Sequence, residues 1–249
     1  MNIAVIGAGY VGLVSGTCFA EIGVKVTCID TDASKIKMLR AGKIPIFEPY
    51  LEAMVVRNVS EGRLNFESTF GDSLCDVDVI FIAVGTPTDG RTGGINTAYV
   101  ENAARLVAPM LENYTVIVNK STVPVGTADQ VSKIISGANK KAKFDVASNP
   151  EFLREGSAID DFMKPDRIIV GVDNPRPKEL LEQIYQPLTN QGVSLVTMDT
   201  KSAELTKYAA NAFLATKVAF INEMAALCDA SGANVKAVAE GMGLDKRIG

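Results

Sequence analysis

Six residues, "GAGYVG" at 7–12, constrain this chain more than any other stretch. They follow an apolar run, "IAVIG" (3–7), and open a segment with helical character over 11–22. Gly7 permits a tight turn, Gly9 leaves room for a pyrophosphate against the backbone, and Gly12 lets a helix pack closely on a sheet. Ala8, Tyr10 and Val11 complete the loop, and a helix N-terminus here attracts phosphate charge. An acid stands where such a loop needs one: Asp30 closes the second apolar run, "KVTCID" (25–30), near the spacing of about 20 residues that a dinucleotide site requires. A carboxylate there accepts both ribose hydroxyls of NAD and repels the extra phosphate of NADP. The other reading is a glycine turn that only joins strand to helix; the position of Asp30 favours the cofactor. Asp32 is expected at the start of the following helix.

Short apolar runs then alternate with amphipathic stretches. Strands are expected at 3–7, 25–30, 77–84, 115–119, 144–148, 167–172 and 193–198, and helices at 11–22, 33–41, 97–112, 127–137 and 178–186. Several strands are apolar at successive positions, as strands covered on both faces are. The alternation predicts an α/β fold with a doubly wound, mostly parallel, Rossmann-type sheet. After residue 200 the strands stop, and "TKSAELTKYAANAFLATKVAFINEMAALCDASG" reads as one long helix ending at its only glycine. A second helix is expected in "ANVKAVAEGMG". The boundary is set near 199, giving a nucleotide-binding domain at 1–198 and a helical extension at 199–249.

Composition narrows the function classes. The chain has 249 residues, 47% of them apolar, and a net charge of −4. No basic block suggests nucleic acid, and the longest apolar runs are strand-sized, so no membrane span is expected. The start lacks a basic segment before its apolar one, so no signal peptide is expected, and a cytoplasmic location is the expectation that follows. Cys18, Cys28, Cys75 and Cys228 show no CxxC pairing and are expected as small buried hydrophobes, and no metal site is expected. There is no histidine, so any proton transfer near neutral pH falls to other side chains.

Two further segments end strands at the same sheet edge: "VGTPTDG" (84–90) and "NKSTVPVGT" (119–127). Ligands gather outside these carboxyl ends; ordinary strand-to-helix turns, with Thr127 capping the next helix, are the alternative. "ASNPEFLREGSAIDDF" (147–162) places Glu151 and Glu155 in a loop. By themselves these residues read as an N-capped helical turn with glutamates facing solvent. Lys207 and Asn211, four apart in the long helix, share a face, and Asn222 continues the stripe. A cation and an amide converging on one oxygen make an oxyanion site, and desolvation would let Lys207 act as a base. A solvated helix face is the alternative, although "YAANAFLA" around Asn211 suits a buried interdomain helix better.

"GAGYVG", "GTPT", "KSTVPVGT", "NPEFLREG", "PDRIIVG", "ELTKYAANAF" and "GLDKRIG" follow one another in an order and spacing that resembles the UDP-glucose 6-dehydrogenase family of nucleotide-sugar dehydrogenases. The likeness covers residues 1–249. Dehydrogenases of GDP-mannose and of UDP-N-acetylmannosamine resemble it too. The resemblance implies oxidation of UDP-glucose at C6 to UDP-glucuronate with two NAD per turnover, through an aldehyde, a cysteine-bound thiohemiacetal and a thioester. It implies NAD contacts at Gly7, Ala8, Gly9, Tyr10, Val11, Gly12, Asp30, Lys35, Thr86, Thr122 and Glu155. Substrate contacts are implied at Glu151, Phe152, Leu153, Arg154, Glu155, Lys207, Asn211 and Arg247, the last reaching into the partner subunit of a homodimer. Glu151 is implied as the base for thioester hydrolysis, with Thr122 orienting a water or hydroxyl and Lys207 and Asn211 at the alkoxide.

The family's nucleophilic cysteine lies in a "GGSC" segment after the motif matching "GLDKRIG", and residues 1–249 do not reach it. On this expectation the 249 residues alone are inactive, and the second nucleotide-binding domain is missing. A non-catalytic module that binds NAD or a nucleotide sugar is the alternative.

Overall fold

The structure is a computed structural model that describes residues 1–91 and 93–248, with only the backbone at Asp72. The final glycine of "GLDKRIG" therefore lies outside the described residues. The chain divides into two compact units, Met1–Leu205 and Thr206–Gly249.

The first unit runs β1 (Asn2–Ile6), α1 (Tyr10–Glu21), β2 (Lys25–Ile29), α2 (Ala33–Arg40), α3 (Leu51–Ser60), β3 (Leu64–Glu67), β4 (Val79–Ile82), α4 (Ala98–Val107), β5 (Thr115–Asn119), α5 (Thr127–Ala138), β6 (Phe144–Ser148), α6 (Ala158–Met163), β7 (Arg167–Gly171), α7 (Pro175–Thr189) and β8 (Ser194–Met198). The eight strands form one sheet in the order β3-β2-β1-β4-β5-β6-β7-β8. Every pairing is parallel except β6 with β7. The order reverses between β1 and β4, which opens a crevice at the carboxyl ends of those strands.

Strand periodicity sends alternate residues to opposite faces. Ile3 and Val5 of β1 join Leu13 and Phe19 of α1 in one core, while Ala4 and Ile6 join Val100 of α4 and Val131 of α5 in the other. Phe19 is fully buried, with ring centroids 4.8 Å from Phe81 and 5.0 Å from Phe162; truncating such a ring typically costs about 3–5 kcal/mol.

The doubly wound sheet and the long helix agree with the sequence reading. Three elements, α3, β3 and α6, were not anticipated. β3 is a four-residue edge strand whose residues alternate between buried and outward, too short to rise above the loop background. α6 has six residues. α3 follows a proline and buries only Leu51, Met54, Val55 and Asn58. α7 is longer than expected because Pro175 occupies its first position, where a fixed φ suits a helix.

The second unit continues α8 (Thr200–Ser231) from Thr206 and adds α9 (Val235–Gly243). α8 stops where expected, at Gly232, which takes a φ of 76°. Among the described residues no helix is long and apolar enough to cross a membrane.

Candidate functional site at the carboxyl edge of the sheet

After β1 the chain turns through Gly7, whose φ of 99° suits only glycine without strain. A Cβ on Gly7 would lie 2.8 Å from the Ala83 carbonyl oxygen, and one on Gly12 would lie 1.9 Å from that of Gly7. Gly9 is the opposite case, since a Cβ there would meet nothing within 4 Å. Gly9 is also the N-cap of α1, and no side chain caps that end. The loop is thus packed tight toward the sheet and open at Gly9, beside the partial positive charge of a helix end. A pyrophosphate fits that arrangement.

Asp30 follows β2 and faces the same turn. Its Oδ2 accepts the Ala8 amide and the Lys35 ammonium, each at 2.8 Å, and its Oδ1 accepts the Asp32 amide at 2.9 Å. Burial alone would raise this carboxyl, but the Lys35 ammonium and the two amides outweigh it and hold the pKa below its usual value. Asp32 caps α2 through the Ser34 and Lys35 amides, as expected. Gly7, Gly9, Asp30, Lys35, Phe70 and Tyr99 line a cleft of about 340 Å³. One ionised carboxylate among largely apolar walls suits a nucleoside.

The next two strand ends are tied together. The Ser121 hydroxyl after β5 donates to the Val84 carbonyl after β4 at 2.6 Å, and Thr86 and Thr122 are half-buried beside them. Thr127 does not cap α5. The N-cap is Gly126, with a φ of 94°, and the Thr127 hydroxyl donates back to the Pro124 carbonyl. That left-handed turn points the helix end at a remote acid instead: Glu204 accepts the Gly126 amide at 2.6 Å and the Ala128 amide at 2.8 Å. Burial holds the Glu204 pKa above its usual value, despite those two amides.

The loop carrying the glutamates follows β6 and has no helical turn before Ala158. It is pinned at both ends. At the start, buried Asn149 donates to the Ile169 carbonyl and accepts the Lys120 ammonium at 3.0 Å and the Tyr185 hydroxyl at 2.6 Å. Lys120 is itself buried, about 6 Å from the rings of Phe19, Phe81 and Phe162. At the far end, Glu48 accepts the Gly156 and Ala158 amides, each at 2.8 Å, and the Tyr10 hydroxyl.

Between the pins, Glu151 is half-buried and accepts the Leu153 amide at 2.6 Å, while Glu155 is exposed. Leu153 packs against the α1 side of the core, and Phe152 lies under the Arg167 guanidinium at 3.9 Å. The Arg154 guanidinium is bound to Asp161 through Nε and Nη2.

Lys207, Asn211, Asn222 and Arg247 belong to the second unit. Lys207 is buried. Asn211 is exposed, contrary to the buried setting its neighbours suggested, because every residue from 211 to 220 is exposed. Small and apolar neighbours bury a side chain only when another element covers them. Arg247 is exposed and paired with Asp245.

The cysteines are not alike. Cys18, Cys28 and Cys228 are buried, as expected, but Cys75 is half-exposed, because it lies in the polar turn ahead of β4 rather than in a packed element. Burial pushes the Cys18 and Cys28 thiols up to about 12. Cys75 precedes β4, so it sits at the amino edge of the sheet, opposite the loops above.

Sequence reasoning missed Glu48, Lys120, Asn149 and Glu204. For Glu48, Lys120 and Asn149 the available signal was context, a polar residue in an apolar or strand-end setting, as in "IPIFEP"; Glu204, in "KSAELTK", carried no such signal.

The family model for the "UDP-glucose/GDP-mannose dehydrogenase family, NAD binding domain" matches residues 1–189, and that for the family's central domain matches residues 201–249. A UDP-glucose 6-dehydrogenase of Rhizobium meliloti (strain 1021) is 53% identical, over 100% of this chain and 57% of its own length. UDP-glucose 6-dehydrogenase TuaD of Bacillus subtilis (strain 168) is 51% identical, over 100% of this chain and 53% of its own. The chain thus spans a little over half the length of these relatives. The solved UDP-glucose dehydrogenase of Pyrobaculum islandicum superposes with a TM-score of 0.95 at 42% identity, covering 100% of this chain and 57% of that one. A ternary complex of GDP-mannose dehydrogenase from Pseudomonas aeruginosa gives 0.93 at 34% identity, covering 98% and 57%.

Proposed function

Because this chain belongs to the UDP-glucose/GDP-mannose dehydrogenase family, across both its NAD-binding and its central domain, we propose that it carries the cofactor site and the hydrolytic base of an enzyme that oxidises UDP-glucose to UDP-glucuronate. Its cofactor is NAD. The observation that carries the reading is the carboxyl edge of the sheet, where the open glycine loop after β1, the amide-bound Asp30 after β2 and the doubly pinned Glu151 loop after β6 all lie, with Glu48 and Tyr10 joining the first to the last. The division into 1–198 and 199–249 is part of the same proposal.

Bound NAD supplies the hydride acceptor. The amides of residues 7–12 hold its pyrophosphate, Asp30 takes the ribose hydroxyls, and Lys35, Thr86, Thr122 and Glu155 complete the contacts. Lys207 takes the C6 hydroxyl proton and, with Asn211, stabilises the developing alkoxide as the C6 hydride passes to NAD. Glu151 takes the proton of the water that attacks a thioester, and Thr122 orients that water. Residues 151–155 and Arg247 hold the substrate.

The thiol of that thioester is none of the four cysteines: three are buried and Cys75 lies at the wrong edge. This favours a second reading for the 249 residues by themselves, a module that binds NAD without turning substrate over. The assembly we propose is a homodimer through α8. Phe213, Leu214 and Val218 are each 60–62% exposed there, and a helix apolar on several faces needs cover.

The test has two arms. The 249-residue chain, titrated with NAD and mixed with UDP-glucose, binds NAD and makes no UDP-glucuronate; sustained turnover would overturn the cysteine assignment. The protein that carries these residues together with an active-site thiol forms NADH fastest on UDP-glucose among UDP-glucose, GDP-mannose and UDP-N-acetylmannosamine. Its Glu151→Gln variant accumulates a covalent adduct. A variant that loses NAD binding instead would remove Glu151 from catalysis.

A further inference from the structure

Glu48 lies in "KIPIFEPY", between α2 and α3. Phe47 is 86% exposed and Tyr50 is 81% exposed, yet the acid between them is only 5% exposed. Burial here runs against the polarity of the sequence, and a buried carboxylate is tolerated only with several donors. Its donors come from two places. Oε2 accepts the Tyr10 hydroxyl and the Gly156 amide, and Oε1 accepts the Ala158 amide at 2.8 Å and the Ile159 amide at 3.5 Å. The Gly156 amide also reaches the Tyr10 hydroxyl oxygen, at 3.1 Å.

Tyr10 directly follows Gly9, and Gly156 directly follows Glu155. One carboxylate therefore binds the first residue of the helix on the cofactor loop and the last turn of the glutamate loop, 38 and 108 residues away in sequence. Burial and the Glu48 carboxylate push the Tyr10 phenol up to about 12, so it stays a donor. The segment is also held under strain. Tyr50, which caps α3, is the one non-glycine residue with positive φ among the described residues, at 67°. Such a conformation persists where surrounding contacts over-determine it, and the Glu48 cluster lies two residues before it.

We propose that Glu48 is a positioning residue that makes seating of NAD on the glycine loop and placement of the Glu151–Glu155 loop a single event. The proposal rests on the cofactor and base assignments above. Contact of the pyrophosphate with residues 9–10 fixes Tyr10; Tyr10 fixes the Glu48 carboxylate; that carboxylate fixes the amides of 156 and 158. Coupling is reciprocal, so a well-placed glutamate loop tightens NAD by the factor by which NAD orders the loop. Glu48→Gln keeps the volume but turns one accepting oxygen into a donor, which opposes either the Gly156 or the Ala158 N–H whichever way the amide lies.

The experiment uses the 249-residue chain, with NAD affinity by calorimetry and amide hydrogen exchange read residue by residue. In the wild type, NAD raises protection at Gly156, Ala158 and Ile159. In Glu48→Gln, NAD binds about fivefold to tenfold more weakly, and that rise is lost, while Val5 and Ile80 keep their protection. Tyr10→Phe weakens NAD similarly, and the double variant is no weaker than either single one, because both cut the same connection. Unchanged NAD affinity and loop protection in Glu48→Gln would overturn the proposal, as would an equal loss of protection at Val5 and Ile80, which would make Glu48 a folding residue. A wild-type chain that binds no NAD would overturn the proposed function and this inference with it.

Discussion

The glycine loop and the glutamate loop stand at the same sheet edge and are built by different means. Residues 7–12 hold their shape through their own backbone: a left-handed Gly7, a Gly12 in contact with the Gly7 carbonyl, and an open Gly9. Residues 150–157 hold theirs through side chains that lie far away in sequence. Lys120 and Tyr185 meet at Asn149, and Tyr10 and Glu48 meet at Gly156. A loop of the first kind is rigid wherever its local sequence is intact. A loop of the second kind is rigid only once the rest of the domain is in place, and any of several distant substitutions can release it.

Substitution separates the two kinds. Gly12→Val should have the largest effect, since even the first carbon of a side chain lands 1.9 Å from the Gly7 carbonyl oxygen. A loss of more than about 3 kcal/mol is expected in chemical denaturation, with no NAD binding. Asn149→Leu should follow, at about 2–4 kcal/mol, because it takes an acceptor from Lys120 and Tyr185 and a donor from the Ile169 carbonyl. NAD affinity measured on the folded fraction should change less than about threefold. A large loss of affinity would mean that the start of the glutamate loop, and not only its end, is coupled to the cofactor.

Gly9→Ala sharpens the contrast from the other side. Its Cβ meets no protein atom and its φ of −75° is open to any residue, so stability should stay within about 0.5 kcal/mol of the wild type. NAD should weaken at least tenfold, about 1.4 kcal/mol, because the methyl group occupies the place of the pyrophosphate. Equal stability and equal affinity would remove Gly9 from the cofactor contact.

The smallest effects are in pH. The Asp30 carboxyl is held below its usual value, so its stabilising contribution is complete above its unfolded value of about 4 and is lost as pH falls through the lower folded value. Glu204 has the opposite sign. Its folded value is raised, so its ionised form is the disfavoured one, and the wild type gains on Glu204→Gln as pH falls from neutral through that value. Denaturation midpoints of the wild type, Asp30→Asn and Glu204→Gln between about pH 3 and 7 should diverge in these two directions, each by less than about 1 kcal/mol. Parallel profiles would remove both assignments.

The same distinction explains how much of this molecule could be read in advance. The sheet was legible because buried parallel strands write themselves as apolar runs, and "TVIVN" and "FDVAS" match β5 and β6 to the residue. The glycine loop and Asp30 were legible because a backbone requirement leaves a residue at a fixed spacing. Glu48, Asn149, Lys120 and Glu204 were not, because their partners lie 20 to 111 residues away and no local pattern records such a pairing. Thr127 misled for that reason: a plausible local cap stood where Glu204 serves. Asn211 misled in the reverse way, since composition suggested cover that α8 does not have at 211–220.

The strand order has a consequence in time. Ile3 pairs with Val26 on one side and with Val79 on the other. Once β3 has emerged at residue 67, β1, β2 and β3 can assemble, but the inner edge of β1 has no neighbour until β4 is complete at residue 82. At synthesis rates of about 5–20 residues per second, that edge stays open for about one to three seconds. Its side chains, Ile3, Ala4, Val5 and Ile6, are among the most apolar in the molecule, and an unpaired apolar strand is a template for another chain. During its own manufacture, the strand that leads into the cofactor loop thus passes through a stage in which its apolar edge is open to a chaperone or to another chain.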